Sequence, residues 1–275
     1  DNPHTKPFAF WEWLLAEVRV EHPDVLFLAE AFTRPRVLEH LAKLGFSQSY
    51  NYFAWRNAAW ELREYFTELT QTEVKEYLRP NVWPNTPDIL TAYLQTGVRG
   101  AFAARAVLAA TLAASYGVYG PAFELLEHEP RNTGSEEYLH SEKYEIRHWD
   151  LDRPDSLAPL LGCLNALRHA HPALQTNTTL HFHDVDGEDL LCYSKRTDDG
   201  ADVVLVVVNC DPHHVRSGIV HLDLAELGVD GGPFEVHDRL SDARYTWHGP
   251  DNYVELDPAA VPAHVFTLPA ATSPA

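Results

Sequence analysis

The sequence has no methionine and only three cysteines among its 275 residues. The cysteines, Cys163, Cys192 and Cys210, are odd in number and form no C-x-x-C pair, which argues against a disulfide framework and a zinc cluster. A reducing cytoplasm is therefore the expected location. Because an intact reading frame would supply a start methionine and the chain begins at Asp1, we expect it to be a segment of a longer protein.

Basic residues are also scarce, at 21 against 40 acidic ones, which gives a formal net charge of −19. Nucleic acid and anionic lipid would be repelled, so the expected partners are neutral molecules, or anions held at a local basic site. The longest apolar runs, 203–208 and 101–114, fall short of the roughly 18 residues of a membrane helix. No membrane span is expected, and no secretory signal is recognised within these residues.

The first part of the chain alternates short apolar strands with helices, which predicts a parallel sheet with crossover helices. After a first helix from Pro7 to about Val20, capped by Thr5, the strand Val25 to Ala29 is predicted to be buried on both faces because it has no polar side. The further predicted elements are helices near 35–44, 57–69, 89–95, 100–114 and 156–170, and strands near 46–53, 79–82 and 115–119.

From residue 178 onward the chain consists of short alternating or β-branched segments separated by turns. Strands are predicted at 180–183, 190–195, 203–209, 219–224, 234–238, 253–256 and 263–268. This pattern predicts an antiparallel β-sandwich of about 95 residues. We place the boundary near residue 173, which gives two domains, 1–172 and 173–275.

Three carboxylates follow predicted strands or precede helices: Asp1, Glu30 and Asp88. In a parallel α/β barrel the carboxyl ends of the strands share one face, and two carboxylates flanking a glycosidic bond are the minimum for retaining chemistry. Apolar neighbours such as Phe27 and Phe32 would raise the pKa of Glu30 by desolvation. Spacing alone is a weak signal in so acidic a chain, and a strand-end Glu30 could equally cap the next helix or pair with Arg34.

Several ordered blocks resemble the α-amylase superfamily, and more narrowly its maltose-1-phosphate-dependent maltosyltransferases. They are DNPHTKP at 1–7, LAEAFTRP at 28–35, NTPDIL at 85–90, YGPAFEL at 119–125, GSEEYL at 134–139 and SEKY at 141–144. Pro87 stands where the wider superfamily usually has a histidine, and this departure favours the narrower group.

The resemblance implies the C-terminal part of a (β/α)8 TIM barrel followed by the β-sandwich domain. It also implies a retaining transfer of maltosyl units from α-maltose 1-phosphate to the non-reducing end of α-1,4-glucans. Phosphate is released, and the reaction passes through a covalent β-maltosyl-enzyme. No metal or cofactor is implied. The full-length protein would be a homodimer, and the segment alone would be inactive and marginally stable, because an opened barrel exposes strand edges.

Residue by residue, the resemblance assigns six positions. Asp1 would be the nucleophile, Glu30 the general acid/base, and Asp88 the carboxylate that stabilises the oxocarbenium-like transition state. Asn2 would help hold the donor phosphate. Lys143 and Tyr144 would contact the donor sugars.

Two other functions stay open on the sequence. A hydrolase or a trehalose-forming isomerase of the same superfamily would use the same three carboxylates. A non-catalytic glucan-binding module would need aromatic platforms, for which Trp83 is the best candidate. The glutamate pair at 136–137 is interpreted as solvated surface. The histidine pair at 213–214 is interpreted in the same way, because no third metal ligand lies at useful spacing.

Overall fold

The structure is a computed structural model that describes residues 5–268. Asp1 and Asn2 therefore lie outside the described residues. The first part has helices and strands in alternation, and the second part is almost entirely strand. The helices are α1 (Phe8–Glu21), α2 (Pro35–Leu44), α3 (Ala59–Gln71), α4 (Arg99–Leu112), α5 (Gly120–Glu124) and α6 (Ala158–Ala170). The strands are β1 (Leu28–Ala29), β2 (Gln48–Tyr50), β3 (Pro80–Val82), β4 (Ser115–Tyr116), β5 (His181–Val185), β6 (Leu190–Arg196), β7 (Val203–Asn209), β8 (Arg216–His221), β9 (Pro233–Asp238), β10 (Arg244–His248), β11 (Asp251–Leu256) and β12 (Ala263–Thr267).

The strands β1 to β4 form a parallel sheet in chain order. Each neighbouring pair is joined through one helix, α2, α3 or α4, as parallel pairing requires. The register pairs Leu28 with Gln48, Ser49 with Pro80, and Asn81 with Ser115. All four carboxyl ends consequently point to one edge, where the loops that follow them meet.

The prediction that β1 is buried on both faces is wrong. Leu26 is 74% exposed and Leu28 is 46% exposed, whereas Ala29 is fully buried. The reason lies in the pairing, since β1 pairs only with β2 within the described residues and is an edge strand there. An apolar run thus identified the strand but not which of its sides is covered.

Two helix predictions also differ from the structure. The segment 89–95 is not a helix, because Thr86 and Ile89 bond each other through both backbone groups and Leu90 donates to the carbonyl of Glu136. Only a short 3₁₀ turn follows, at Leu94–Thr96. The first helix begins at Phe8, after Pro7, rather than being capped by Thr5.

The second part forms one eight-stranded antiparallel sheet in the order β10-β9-β12-β7-β6-β5-β8-β11. Seven of these strands match predicted segments within a few residues, and β10 was missed. Its residues Arg244, Tyr245 and Thr246 are exposed, so it carries little of the apolar signal on which the prediction relied.

Strand β7 joins two hydrophobic cores. Its alternate residues Val204, Val206 and Val208 belong to a core that also contains helices α3, α4 and α6. The intervening residues Val203, Leu205 and Val207 face a second core inside the β-domain. Because strand side chains alternate between faces, a continuous run of apolar residues is what a strand covered on both sides requires.

Helix α4 is buried from Gly100 to Leu112, including the charged Arg105. The guanidinium of Arg105 lies 3.6 Å from the centroid of the Phe53 ring and donates to the carbonyls of Phe53 and Arg56. Burial lowers its pKa to about 10. Arg105 therefore satisfies the backbone of the turn after β2 instead of interrupting a core helix.

Lys195 in β6 is the second fully buried cation, at 1% exposure. Its ammonium donates only a long bond, 3.4 Å, to the carbonyl of Leu174, and no carboxylate pairs with it within residues 5–268. Burial, together with the positive charge of Arg168, lowers its pKa from 10.5 to about 7. In the unfolded chain the lysine regains its ordinary pKa.

We expect Lys195→Met to stabilise the protein, and most strongly at low pH. Below the folded pKa the wild type must bury a charge. Above it the unfolded chain binds the extra proton, so the free energy of unfolding of the wild type rises with pH by at most about 1.4 kcal/mol per unit. Chemical denaturation at about pH 6 and about pH 9 would show the advantage of Lys195→Met shrinking at the higher pH. Lys75→Met, at an exposed position, is the control. An advantage that is equal at both pH values would contradict the burial argument.

Among residues 5–268, no helix is both long and apolar enough to cross a membrane.

Candidate functional site

A cavity of about 580 Å³ lies at the carboxyl ends of the parallel strands. Residues from the ends of all four strands, or from the loops that follow them, line it. They are Glu30, Phe32, Tyr50, Trp83, Thr86, Pro87, Asp88, Ile89, Val118, Tyr119 and Gly120. Its size is within the usual range for a small-molecule site, and polar groups converge on aromatic walls, as in such sites.

Glu30 follows directly after β1 and is partly buried in this cavity. Desolvation by burial raises the pKa of its carboxyl group, and the negative charge of Asp88 raises it further. Phe32 is one of the apolar neighbours, as expected. Phe27 does not line the cavity, and its ring packs against Phe46. A carboxyl group with a raised pKa is a better general acid and a stronger base near neutral pH.

Tyr50 and Trp83 form one wall of the cavity as a stacked pair. Their ring centroids are 5.2 Å apart at an interplanar angle of 24°. The indole N–H of Trp83 donates to Oδ1 of Asn81 at 3.1 Å, which fixes the ring. Burial and the charge of Glu30 raise the pKa of Tyr50. This wall supplies the flat apolar surface on which a sugar ring can stack.

Gly117 allows Trp83 to lie where it does. A Cβ atom at this position would be 2.3 Å from Cζ2 of the indole, closer than any real contact. The Gly117 amide also donates to the carbonyl of Val82, so the backbone is held against the ring. A side chain at residue 117 must therefore displace Trp83.

We expect Gly117→Ala to destabilise the protein by about 1–3 kcal/mol, the usual cost of overpacking. Thermal unfolding measures the loss, and the tryptophan fluorescence spectrum should change as Trp83 moves. Gly162→Ala is the matched control, because nothing lies within 4 Å of its Cβ in helix α6. That exchange should raise stability, by up to about 1 kcal/mol. Equal behaviour of the two variants would contradict the packing argument.

Asp88 lies in the turn after β3, where its amide donates to Oγ1 of Thr86 at 3.2 Å. Its carboxylate oxygen Oδ1 is 2.7 Å from Nζ of Lys143. The bond to Asp88 raises the pKa of Lys143. Glu137 lies 3.8 Å from the same ammonium. The structure thus brings Glu30 and Asp88 into one cavity and adds Lys143 from a distant part of the chain.

Tyr144 follows Lys143 but is 61% exposed and is not part of the cavity lining. Its ring lies 5.4 Å from Nζ of Lys143 and 5.3 Å from the guanidinium of Arg131. The structure therefore places the ring beside the cationic group of the site rather than in the cavity.

The loop between α5 and α6, residues 125–157, is ordered by polar contacts. The interpretation of residues 136–137 as solvated surface is wrong. Glu136 accepts the indole N–H of Trp55 at 2.8 Å, and Glu137 pairs with Arg131 at 3.1 Å. The partner of Glu136 cannot be read from the loop sequence, since Trp55 is 81 residues away, whereas Arg131 lies in the same loop as Glu137.

Tyr50, Val118 and Tyr119 are cavity residues that the sequence reasoning did not single out. Each is at, or just after, the carboxyl end of a parallel strand, as Glu30 is. The position was therefore a usable signal, but without a charge these residues resembled ordinary core.

His214 pairs with Asp211 at 2.8 Å. Within the described range 5–268, no group of three or more His, Cys, Asp or Glu side chains could hold a metal ion.

Residues 182–268 match the family model described as "GLGE, C-terminal". An α-1,4-glucan:maltose-1-phosphate maltosyltransferase from Chlorobaculum tepidum is 50% identical over 98% of this chain and 41% of its own length. The α-1,4-glucan:maltose-1-phosphate maltosyltransferase 2 of Streptomyces coelicolor is 51% identical over 97% of this chain and 40% of its own length. The resemblance to maltosyltransferases is confirmed, and the chain spans about two-fifths of the length of these curated relatives.

Solved structures show the same fold at low identity. An α-amylase from Anoxybacillus matches 98% of this chain and 57% of its own, with a TM-score of 0.69 and 12% identity. AmyP in complex with maltotriose matches 98% of this chain and 63% of its own, with a TM-score of 0.70 and 13% identity. The chain therefore has the fold of the corresponding part of α-amylase family proteins, with an antiparallel β-domain after the α/β part.

Proposed function

We propose that this chain, which is homologous to about two-fifths of an α-1,4-glucan:maltose-1-phosphate maltosyltransferase, carries the catalytic carboxylates of such an enzyme. The reaction is the transfer of maltosyl units from α-maltose 1-phosphate to the non-reducing end of an α-1,4-glucan, with release of phosphate. One observation supports it most. Glu30 and Asp88 share a cavity with the Tyr50–Trp83 stack, and Lys143 supplies a cation at its rim.

In the first step, a carboxylate oxygen of Asp1 attacks the anomeric carbon of the donor. The bond from that carbon to the phosphate oxygen breaks, and phosphate leaves with the electron pair. The product is a β-maltosyl ester of Asp1. Asp88 stabilises the positive charge that develops on the sugar in the transition state, since an oxocarbenium-like centre attracts a nearby carboxylate.

In the second step, the 4-hydroxyl of the glucan attacks the same carbon. Glu30 takes the hydroxyl proton, the ester bond to Asp1 breaks, and the configuration is retained after two inversions. The raised pKa of Glu30 makes it a stronger base for this step. The aromatic wall supports the acceptor and donor rings, and Asn2, Lys143 and Tyr144 hold the donor.

The parallel sheet is, in this proposal, the C-terminal part of a (β/α)8 barrel formed by residues 1–172, and residues 173–275 are the β-sandwich domain. The exposed side of β1 and the exposed α1 residues Trp13 and Val20 support it, because they offer apolar surface for further elements to cover. We also propose that the full-length protein is a cytoplasmic homodimer. Cys163, Cys192 and Cys210 are free thiols, which suits a reducing compartment.

The test uses the full-length enzyme with α-maltose 1-phosphate and maltohexaose. We expect phosphate release that matches the lengthening of the glucan by two-glucose steps. Release of glucose or maltose without elongation would instead indicate a hydrolase, and formation of trehalose would indicate the isomerase. Glucan binding without any turnover, unchanged by Glu30→Gln, would indicate a non-catalytic module.

A further inference from the structure

Three consecutive residues of the 125–157 loop each contact a different part of the cavity wall. Ser141 is buried and its Oγ donates to the carbonyl of Pro87 at 3.4 Å. Glu142 accepts the hydroxyl of Tyr119 at 2.7 Å. Lys143 reaches Asp88 at 2.7 Å. We call residues 141–143 the clasp, because they connect the loop to both the Asp88 turn and the end of β4.

Burial of apolar groups does not hold the clasp in place. Glu142, Lys143 and Tyr144 are exposed, and the side chain of Ile146 is 91% exposed. A segment with so little buried apolar surface opens locally at low cost unless polar bonds restrain it. The orientation of Lys143 therefore depends on the hydrogen bonds of its neighbours.

Glu142 has the strongest of these bonds. Its second oxygen, Oε1, accepts the indole N–H of Trp149 at 3.1 Å, so one carboxylate joins Tyr119 to the far side of the loop. The bonds from Tyr119 and Trp149 lower the pKa of Glu142, which remains charged. Bonds to an ionised acceptor are about twice as strong as neutral ones.

Both partners of Glu142 are themselves fixed. The amide of Tyr119 donates to Oδ1 of Asn85 at 2.9 Å, and Nδ2 of Asn85 donates to the hydroxyl of Tyr138 at 2.7 Å. The guanidinium of Arg147 lies 3.9 Å from the ring centroid of Trp149. Glu142 therefore accepts hydrogen bonds from two side chains, Tyr119 and Trp149, that are held in place by other contacts.

We propose that Glu142 is a positioning residue that holds Lys143 against Asp88 at the rim of the cavity. Its role is to align the clasp for the anionic sugar-phosphate donor without touching the donor itself. The inference rests on the proposed function for its kinetic consequence, and on the loop geometry alone for its structural one.

The kinetic test compares Glu142→Gln with Glu145→Gln in the full-length enzyme. A Gln side chain keeps the size but lacks the charge and one acceptor. We expect Glu142→Gln to raise KM for maltose 1-phosphate about tenfold while kcat changes less. Glu145 lies in the same loop and pairs with His140 at 2.9 Å, so Glu145→Gln should leave both constants unchanged. An equal effect of the two variants would overturn the proposal.

Tyr119→Phe removes only the hydroxyl that donates to Glu142 and keeps the ring in the cavity wall. If the hydroxyl of Tyr119 and the carboxylate of Glu142 act as one unit, the double variant Tyr119→Phe with Glu142→Gln should have the same KM for maltose 1-phosphate as Glu142→Gln alone. Independent effects that multiply would contradict the clasp.

Limited trypsin digestion tests, without any activity assay, whether Glu142 holds the clasp in place, because trypsin cleaves after Lys143 and Arg147. We expect cleavage there to be about tenfold faster in Glu142→Gln than in the wild type or Glu145→Gln, with unchanged global unfolding. Failure of the wild type to release phosphate would refute the proposed function, whereas unchanged cleavage would refute the positioning role.

Discussion

Glu30→Gln in the full-length enzyme should release one equivalent of phosphate per active site and then stop. Phosphate is a good leaving group and needs little protonation, so the first step loses little when Glu30 cannot donate. The second step loses its base, and general base catalysis contributes about 10²–10⁴-fold. The covalent maltosyl-enzyme should therefore accumulate.

Rapid-quench phosphate measurement and intact-protein mass spectrometry check this expectation. The mass should increase by one maltosyl unit while elongation of maltohexaose falls by about 10³-fold. Glu64→Gln, on the exposed face of α3, is the control and should turn over normally. Full turnover by Glu30→Gln would remove Glu30 from the mechanism, and absence of the phosphate burst would show that it is also needed as an acid.

Asp88→Asn should give the opposite pattern, with both steps slowed and no burst of phosphate. The carboxylate is proposed to stabilise the charge of both transition states, and removing one such electrostatic interaction costs about 10²–10³-fold in rate. Pre-steady-state phosphate release measures the first step directly. A burst as large as that of Glu30→Gln would contradict the assigned role.

The Asp88→Asn variant also has an expected effect on pH dependence. The charge of Asp88 raises the pKa of Glu30, so its removal lowers that pKa. The limb of the residual rate profile that reports Glu30 should shift to lower pH. Asp230→Asn, at an exposed position of the β-domain, is the control and should leave this limb of the pH–rate profile unchanged.

Much of the parallel α/β part could be predicted from sequence because its signals are local. Helix α2 spans Pro35–Leu44, the bounds predicted for it, and Pro35 at its start and the left-handed Gly45 after its end are both local signals. The segment 89–95 failed for the opposite reason. Its conformation is set by a backbone bond from Leu90 to Glu136, which is distant in the chain.

In the candidate site too, some features follow from local sequence and others from contacts between residues distant in the chain. Glu30 and Asp88 could be located because charged residues at strand ends are conspicuous and because their blocks resemble a known family. Trp83 was also named from the sequence as an aromatic platform, and it lines the cavity. Its stacking on Tyr50 and the bonds of Glu142 could not be predicted, since they join residues 33 and 23 positions apart through the fold. Single residues of the site can thus be identified in the sequence, whereas the contacts between them are set by the fold.

Strand β7 has a consequence for how this protein can be cut or recombined. Because Val204, Val206 and Val208 complete the core of the helical part, the β-domain is not a detachable module. A truncation near residue 173 would leave α4 without its cover and produce two insoluble halves. Fusion partners or tags are best inserted at Gly232, where a side chain would meet nothing within 4 Å.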